Sequence, residues 1–273
     1  AVIQRCNFDG PPLNVLCCDN IHDGGTKLKA GVYFLLEKHS QVAYEWATKN
    51  VSFASSMVDR VSPATDEELK QLVNSTLGLE DAWPVAGEPF TQWVIEDNLF
   101  SSRPALDLVG ALFTANISLY EKMKLGFLNA GHSIISVLGY LNARAMVHEA
   151  LEDLPILEFV KKILHENFLP VTEIPRDCLA EDYICEVMQR FKNKALPYAV
   201  QQVNTDSSQK IQQRWFKNID DALKKNLDTK LMSFVLAAWV LYIEQALDRG
   251  QLSDPQKDSF VEAHKNDAEP VQQ

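Results

Sequence analysis

The 273-residue sequence has no glycine-rich strand-to-helix turn, no closely paired cysteines, no surplus of basic residues and no long apolar run. Without a G-x-G-x-x-G pattern, nothing in it reads as the turn that seats a dinucleotide's pyrophosphate. The cluster Asp23-Gly24-Gly25 lacks that spacing and does not open directly from an apolar strand. The cysteines are five, Cys6, Cys17, Cys18, Cys178 and Cys185, and no two form a C-x-x-C pair, which argues against both a disulfide framework and a zinc knuckle. A reducing cytoplasm is the expected setting, with Cys17 and Cys18 as small buried hydrophobes. Acidic residues outnumber basic ones 37 to 26, and the net charge of -11 repels phosphate backbones and anionic headgroups. Nucleic-acid and membrane partners are therefore not expected. The most apolar stretch, residues 231–243, falls short of the roughly 20 residues a membrane-crossing helix needs and reads as a buried helix. The first ten residues lack the basic start and apolar run of a secretory leader.

With 46% hydrophobic and 23% charged residues, the chain can bury a substantial core in one or two domains. Residues 13–18 form a short apolar run bounded by Gly10-Pro11-Pro12 and Asp19-Asn20, as a buried strand would. Residues 27–49 carry Val32, Leu35, Leu36, Val42, Ala43 and Trp46 at near-helical spacing, and residues 51–61 return to a β-rich texture. A polar helix is expected around residues 65–76 and another strand at 90–96. Beyond about residue 112 helical periodicity takes over, in residues 120–148, 155–167, 178–192, 200–218 and 228–248. The polar stretch 251–273 is expected to fray. The division is thus an α/β portion at 1–112 and an all-helical portion at 113–273.

Four polar residues, Glu121, Lys124, Asn129 and His132, fall within one predicted helix. At about 100° per residue they span an arc of roughly 140° and can converge on one pocket. Oxidising a secondary alcohol requires a base for the hydroxyl proton, and the reverse reaction requires stabilisation of an alkoxide. A lysine, an amide and an imidazole supply those functions without a metal. Taken singly, the same residues also fit a solvated helix charge, an interior amide and a core histidine. His22, His39, His148, His165 and His264 show no ligand spacing, and no metal site is expected.

Four ordered blocks resemble the long-chain polyol dehydrogenases and reductases, the family of mannitol 2-dehydrogenase and fructuronate (mannonate) reductase. Ser-Phe-Ala-Ser-Ser-Met-Val-Asp-Arg-Val-Ser-Pro at residues 52–63 looks like the family's signature. Lys124, Asn129 and His132, five and three residues apart, look like its catalytic helix. Val-Leu-Cys-Cys-Asp-Asn at 15–20 and Glu-Pro-Phe-Thr-Gln-Trp-Val-Ile-Glu-Asp-Asn at 88–98 match two further blocks. The resemblance implies the end of a Rossmann-like domain followed by a mostly helical C-terminal domain. It also implies hydride exchange between NAD or NADP and a linear polyol or aldonate, with the 2- or 5-keto sugar as the other partner. Lys124 would be the general base, with its ammonium pKa lowered by its surroundings, and Asn20 and Asn129 the pair around the reacting oxygen. His132 would orient the substrate, Glu121 would relay the proton, and Asp59 would lie near nicotinamide and substrate.

Arg190 and Lys210 are candidate contacts for the substrate's distal groups. Relatives carry an arginine-rich cluster where Pro197-Tyr198-Ala199 stands here. A nucleotide-binding segment is expected to precede Ala1, and without it the chain is expected to bind dinucleotide poorly and to be inactive. The alternative to an enzyme is a non-catalytic binding or scaffold protein derived from the same family.

Overall fold

The apolar run after Pro11-Pro12 forms β1 (Leu13–Cys17), which in the computed structural model lies parallel to β2 (Val51–Asp59), with Leu13 opposite Val51 and Cys17 opposite Ser55. The structure describes residues 1–100 and 103–268. It divides into one unit of residues 1–62 and 87–121 and a second of residues 63–86 and 122 onward.

In the first unit β2 is the central strand of a mixed sheet ordered β1-β2-β3-β4. Past its pairing with β1, its end runs antiparallel to β3 (Gln92–Glu96), with Ser56 opposite Ile95 and Asp59 opposite Gln92. Strand β4 (Ala111–Thr114) lies parallel to β3. Nearly every residue of β2 is buried, so its hydroxyls must find partners inside the protein. Ser52 Oγ donates to Asn14 Oδ1 at 2.8 Å, and Ser56 Oγ donates to the Cys17 carbonyl at 2.8 Å. Ser55 Oγ accepts from the Gly25 N–H at 3.1 Å, while the Ser55 N–H donates to Glu96 Oε2 at 3.0 Å. The serines of the signature block are thus fasteners between β2 and its neighbours.

The helical stretch 27–49 is two helices, α2 (Gly24–His39) and α3 (Gln41–Asn50), after the short α1 (Val2–Asn7). The break comes at Ser40, whose extended backbone lets its Oγ accept from the Ala43 N–H at 3.2 Å as an N-cap. Leu36, Ala43, Ala47, Val51 and Phe53 form the core, and Tyr33 sets its ring edge-on to both Tyr44 and Phe53. Gly25 explains the close seat of α2, since a Cβ there would lie 2.5 Å from the Ser55 backbone nitrogen. Cys17 is partly buried but Cys18 is exposed, because the chain has left the sheet by that point, so the expectation of a buried Cys18 does not hold.

The second unit begins with α4 (Glu67–Leu77), capped by Asp66 Oδ1, which accepts from the Leu69 N–H at 2.8 Å. The rest is helical: α5 (Ile117–Met123), α6 (Ala130–Leu141), α7 (Val147–Ala150), α8 (Leu154–Ile163), α9 (Ala180–Phe191), α10 (Val200–Asn204), α11 (Ser207–Ile211), α12 (Lys217–Lys224), α13 (Lys230–Asp248) and α14 (Lys257–Ala268). Helix α5 opens at the end of the first unit and runs into the second. Helix α6 is apolar all round and almost wholly buried. Its most deeply buried hydroxyl, Ser136 Oγ, donates to Asn204 Oδ1 at 2.7 Å, and Asn204 Nδ2 donates back to the Ser136 carbonyl at 3.1 Å.

Three expectations change. The helix foreseen at 200–218 is interrupted at Asp206, whose φ of 54° is left-handed. Residues 257–268 are helical rather than frayed, with Phe260 set edge-on to Trp239 at 5.9 Å. Helix α13, containing the run 231–243, is long and apolar enough to cross a membrane by length and composition. It is buried along Met232, Val235, Ala238, Tyr242, Ile243 and Ala246 only, while Phe234, Val240 and Leu241 are exposed.

Candidate active site

Between α5 and α6 the helix does not stop but widens into a π-helical stretch, Lys124–Asn129. A π turn closes hydrogen bonds from i to i+5, so residues five apart, such as Lys124 and Asn129, bracket one wide turn. On an ideal α-helix the same two residues stand at opposite edges of the arc. Both are buried, with relative exposures of 7% and 9%. The widening is built around Gly126, where a Cβ would lie 2.6 Å from Thr172 Oγ1 and 3.2 Å from Thr172 Cγ2. Thr172 is held in turn by donating its hydroxyl to the Phe168 carbonyl at 2.8 Å. Before the turn, Lys122 pairs with Glu173.

His132 follows on the first turn of α6, stacked at an angle between the rings of Phe191 and Tyr198, each 5.1 Å away. Tyr198 is fixed by backbone bridging: its carbonyl accepts from the Val147 N–H at 2.9 Å, and the Val200 N–H donates to the Ala145 carbonyl at 2.9 Å. Burial and the positive charges of Arg214, Lys210 and Arg190 push the His132 pKa down to about 3, so the imidazole is neutral at physiological pH. Arg190 and Lys210, both foreseen as contacts, are therefore within the electrostatic reach of this ring.

Arg214 was not foreseen. It lies in a second π-helical stretch, Gln212–Phe216, four residues after Lys210, and that spacing from a candidate cation is the one signal the sequence carried. Its Nη1 donates to Ser133 Oγ at 2.6 Å and to the Asn129 carbonyl at 3.2 Å. The neighbouring Trp215 Nε1 donates to the Ala130 carbonyl at 3.4 Å. Two donors of this π turn thus reach the carbonyls where the first π turn rejoins α6. Burial pulls the Arg214 pKa down to about 10, with Tyr198 acting against it. Burial, and then Arg214, also lowers Lys210, whose Nζ donates to the Val203 carbonyl at 3.1 Å.

The other candidates belong to the first unit. Asn20 is exposed in the loop after β1, with its N–H donating to Asp19 Oδ1 at 2.8 Å. Asp59 is 1% exposed at the end of β2. Its neighbour Arg60 donates from Nε to the Glu88 carbonyl at 2.9 Å, and Glu88 Oε1 accepts from the Val61 N–H at 2.6 Å. Glu121 is 5% exposed and meets His22, a histidine given no role from sequence, at 2.5 Å between Oε2 and Nδ1. Burial raises the Glu121 pKa, and His22 works against that rise. Asp23 Oδ2 lies 3.2 Å from His22 Nε2. One ligand atom from each of these three residues falls within a 4.8 Å span, but a 2.5 Å nitrogen–oxygen contact fits a shared proton better than an ion held between two ligands. Spacing along the chain could not show this group, since Glu121 is remote from the other two in sequence.

A buried lysine and amide on a wide helical turn, next to a neutral imidazole, can take a proton from a hydroxyl and steady the oxygen left behind. A model of the mannitol dehydrogenase Rossmann domain matches residues 2–108, and one of the mannitol dehydrogenase C-terminal domain matches residues 116–273. The uncharacterized oxidoreductase YeiQ of Escherichia coli K12 is 33% identical over 92% of this chain and 52% of its own length. The D-mannonate oxidoreductase of the same organism is 30% identical over 93% of this chain and 52% of its own. The Pseudomonas fluorescens mannitol 2-dehydrogenase, solved with NAD and D-mannitol, superposes with a TM-score of 0.82 at 28% identity, covering 95% of this chain and 53% of that one. The chain spans about half the length of the curated relatives it matches. With the first three strands of its sheet matched by the one model and its helical remainder from residue 116 by the other, the chain belongs to the mannitol dehydrogenase family.

Proposed function

We propose that the chain is the substrate-binding and catalytic half of a nicotinamide-dependent oxidoreductase that interconverts a linear polyol or aldonate with its keto sugar, with Lys124 as general base. The observation that carries this is the burial of Lys124 and Asn129 on one π turn just before a neutral His132. In the oxidative direction the Lys124 amine takes the hydroxyl proton as the carbon gives up hydride. The Asn129 amide donates to the oxygen as negative charge builds on it. His132, neutral, offers one donor and one acceptor to a neighbouring hydroxyl and so fixes which carbon faces the lysine. In reduction the Lys124 ammonium returns the proton to the alkoxide. Asn20, Asp59 and Glu121 keep, as part of this proposal, the roles that the resemblance implies.

The relatives' cofactor poses a separate question of fit. The glycine pair at the start of α2, Gly24-Gly25, is packed against the chain itself: added Cβ atoms would lie 2.8 Å from Cys17 Sγ and 2.5 Å from the Ser55 nitrogen. Those glycines serve helix-to-strand contact and leave no room for a pyrophosphate at this turn. The roles assigned above are accordingly those of proton transfer and substrate orientation.

The test is Lys124→Ala and Lys124→Met in the enzyme extended to the length of its relatives, followed by NADH oxidation with D-fructose and with D-fructuronate. Turnover is expected to fall by about 10²–10⁴, the usual contribution of a positioned acid–base group, with the far-UV spectrum unchanged. Wild-type rates in either variant would remove the base assignment.

A further inference from the structure

Burying a guanidinium is costly unless a carboxylate or several acceptors receive it. Arg214 has two acceptors, the Ser133 hydroxyl and the Asn129 carbonyl, and both are reached from Nη1. Among the described residues no carboxylate forms an ion pair with Arg214 or with Lys210. Asp206 and Asp254 offset Lys210 only at a distance. Tyr198 is the one group that favours the charged form of Arg214, and it is a phenol. In a protein of net charge -11, Arg214 and Lys210 thus bring positive charge within reach of His132.

The place of this charge matters as much as its sign. Asn129 presents its carbonyl to Arg214, and the wide turn it closes begins at Lys124. Ser133, the other acceptor, is the residue next to His132. An anion held by the guanidinium would lie within electrostatic reach of His132. A planar guanidinium with donors left over suits a carboxylate, which it can meet through two parallel hydrogen bonds.

We propose that Arg214, supported by Lys210, is an anion subsite that selects a sugar acid as substrate, with the substrate's distal carboxylate paired to the Arg214 guanidinium beside His132. The assignment rests on the dehydrogenase reading above and narrows its substrate from polyols and aldonates together to the acids.

Two measurements test it. In the first, D-mannonate, D-mannitol and mannitol 1-phosphate are titrated into the chain by calorimetry at low and high salt. D-Mannonate is expected to bind at least about tenfold more tightly than D-mannitol, less tightly as salt rises, and about a hundredfold more weakly to Arg214→Met. Arg214→Lys, which can keep a contact to Ser133 but loses the planar fork, should fall between. Equal binding of D-mannonate and D-mannitol, tighter binding of the phosphate, or no effect of Arg214→Met in a variant with an unchanged far-UV spectrum would overturn the subsite.

In the second, the enzyme extended to the length of its relatives is assayed for the ratio of kcat/KM on D-fructuronate to that on D-fructose, which Arg214→Met should lower by about a hundredfold. Turnover of both substrates with no preference for the acid removes the subsite and leaves the dehydrogenase standing. Absence of turnover alongside Arg214-dependent binding of D-mannonate removes the dehydrogenase reading and leaves the subsite.

Discussion

Replacing Gly126 by alanine tests whether the π turn is held open by a close contact. In an ordinary helix interior the change would stabilise by about 1 kcal/mol, because glycine is the poorer helix former. Here the new methyl would meet Thr172 Oγ1 at 2.6 Å and Cγ2 at 3.2 Å. Thr172 is β-branched, so turning it away moves both atoms, and it also breaks the 2.8 Å bond from its hydroxyl to the Phe168 carbonyl. Overpacking costs about 1–3 kcal/mol and the lost hydrogen bond about 1, so the contact outweighs the propensity and Gly126→Ala should destabilise by about 1–3 kcal/mol. In a Thr172→Ala background the obstacle is gone and the same substitution should be neutral or stabilising by up to about 1 kcal/mol. The four proteins form a double-mutant cycle read by urea unfolding, with an expected coupling of about 1–4 kcal/mol. If Gly126→Ala costs as much with Thr172 absent as with it present, the steric account of the π turn is wrong.

His132 gives a prediction in pH. Its folded pKa of about 3 lies below the ordinary 6.5, so the unfolded chain binds a proton that the folded chain refuses, and stability falls as pH drops from about 6.5 toward 3. The slope from this residue approaches about 1.4 kcal/mol per pH unit once the unfolded histidine is protonated, and His132→Asn should flatten it; identical urea midpoints against pH between 7 and 5 would contradict this. Asp254 predicts a second acid dependence. Burial acts to raise its pKa, but bonds from the Ser208 N–H and hydroxyl, the Gln256 N–H and the Ser207 hydroxyl prevail and hold it below the usual value. Its contribution is therefore complete above about pH 4 and lost as pH falls through the lowered folded value. Asp254→Asn should cost about 1.5–3 kcal/mol at pH 7 by thermal or urea unfolding, and a cost below about 0.5 would show that the network is not organised by charge.

The order of strand, helix and strand was legible because β1 and β2 are apolar runs bounded by turn residues. The break at Ser40 was not, since Val32 to Trp46 keep near-helical spacing on both sides of it and only the serine's hydroxyl marks the new start. Strand β4 was missed because four residues are too few for an alternation to register, and what ends the short turn before it is Gly110 with φ of 96°. At the candidate site the residue types were readable and their angles were not. A periodicity argument assumes 3.6 residues per turn, whereas Lys124 to Asn129 are wound more loosely, with Gly126 packed against a threonine more than forty residues away. Arg214 and the His22–Glu121 pair depend on contacts between segments far apart in the chain, and no local pattern encodes them.

Among the described residues, three helical runs of the second unit contain a π turn, at Lys124–Asn129, Leu164–Phe168 and Gln212–Phe216. Each such turn is equivalent to one surplus amino acid inserted into an α-helix. Deleting a single residue from the first would restore plain α winding and swing everything before it by about 100° against everything after it. Lys124 would then face elsewhere while Asn129 and His132 stayed in place. Length variation of one residue at this point would therefore not be tolerated the way it is in a surface loop, and a homologue shortened there would have exchanged its chemistry for a tidier helix.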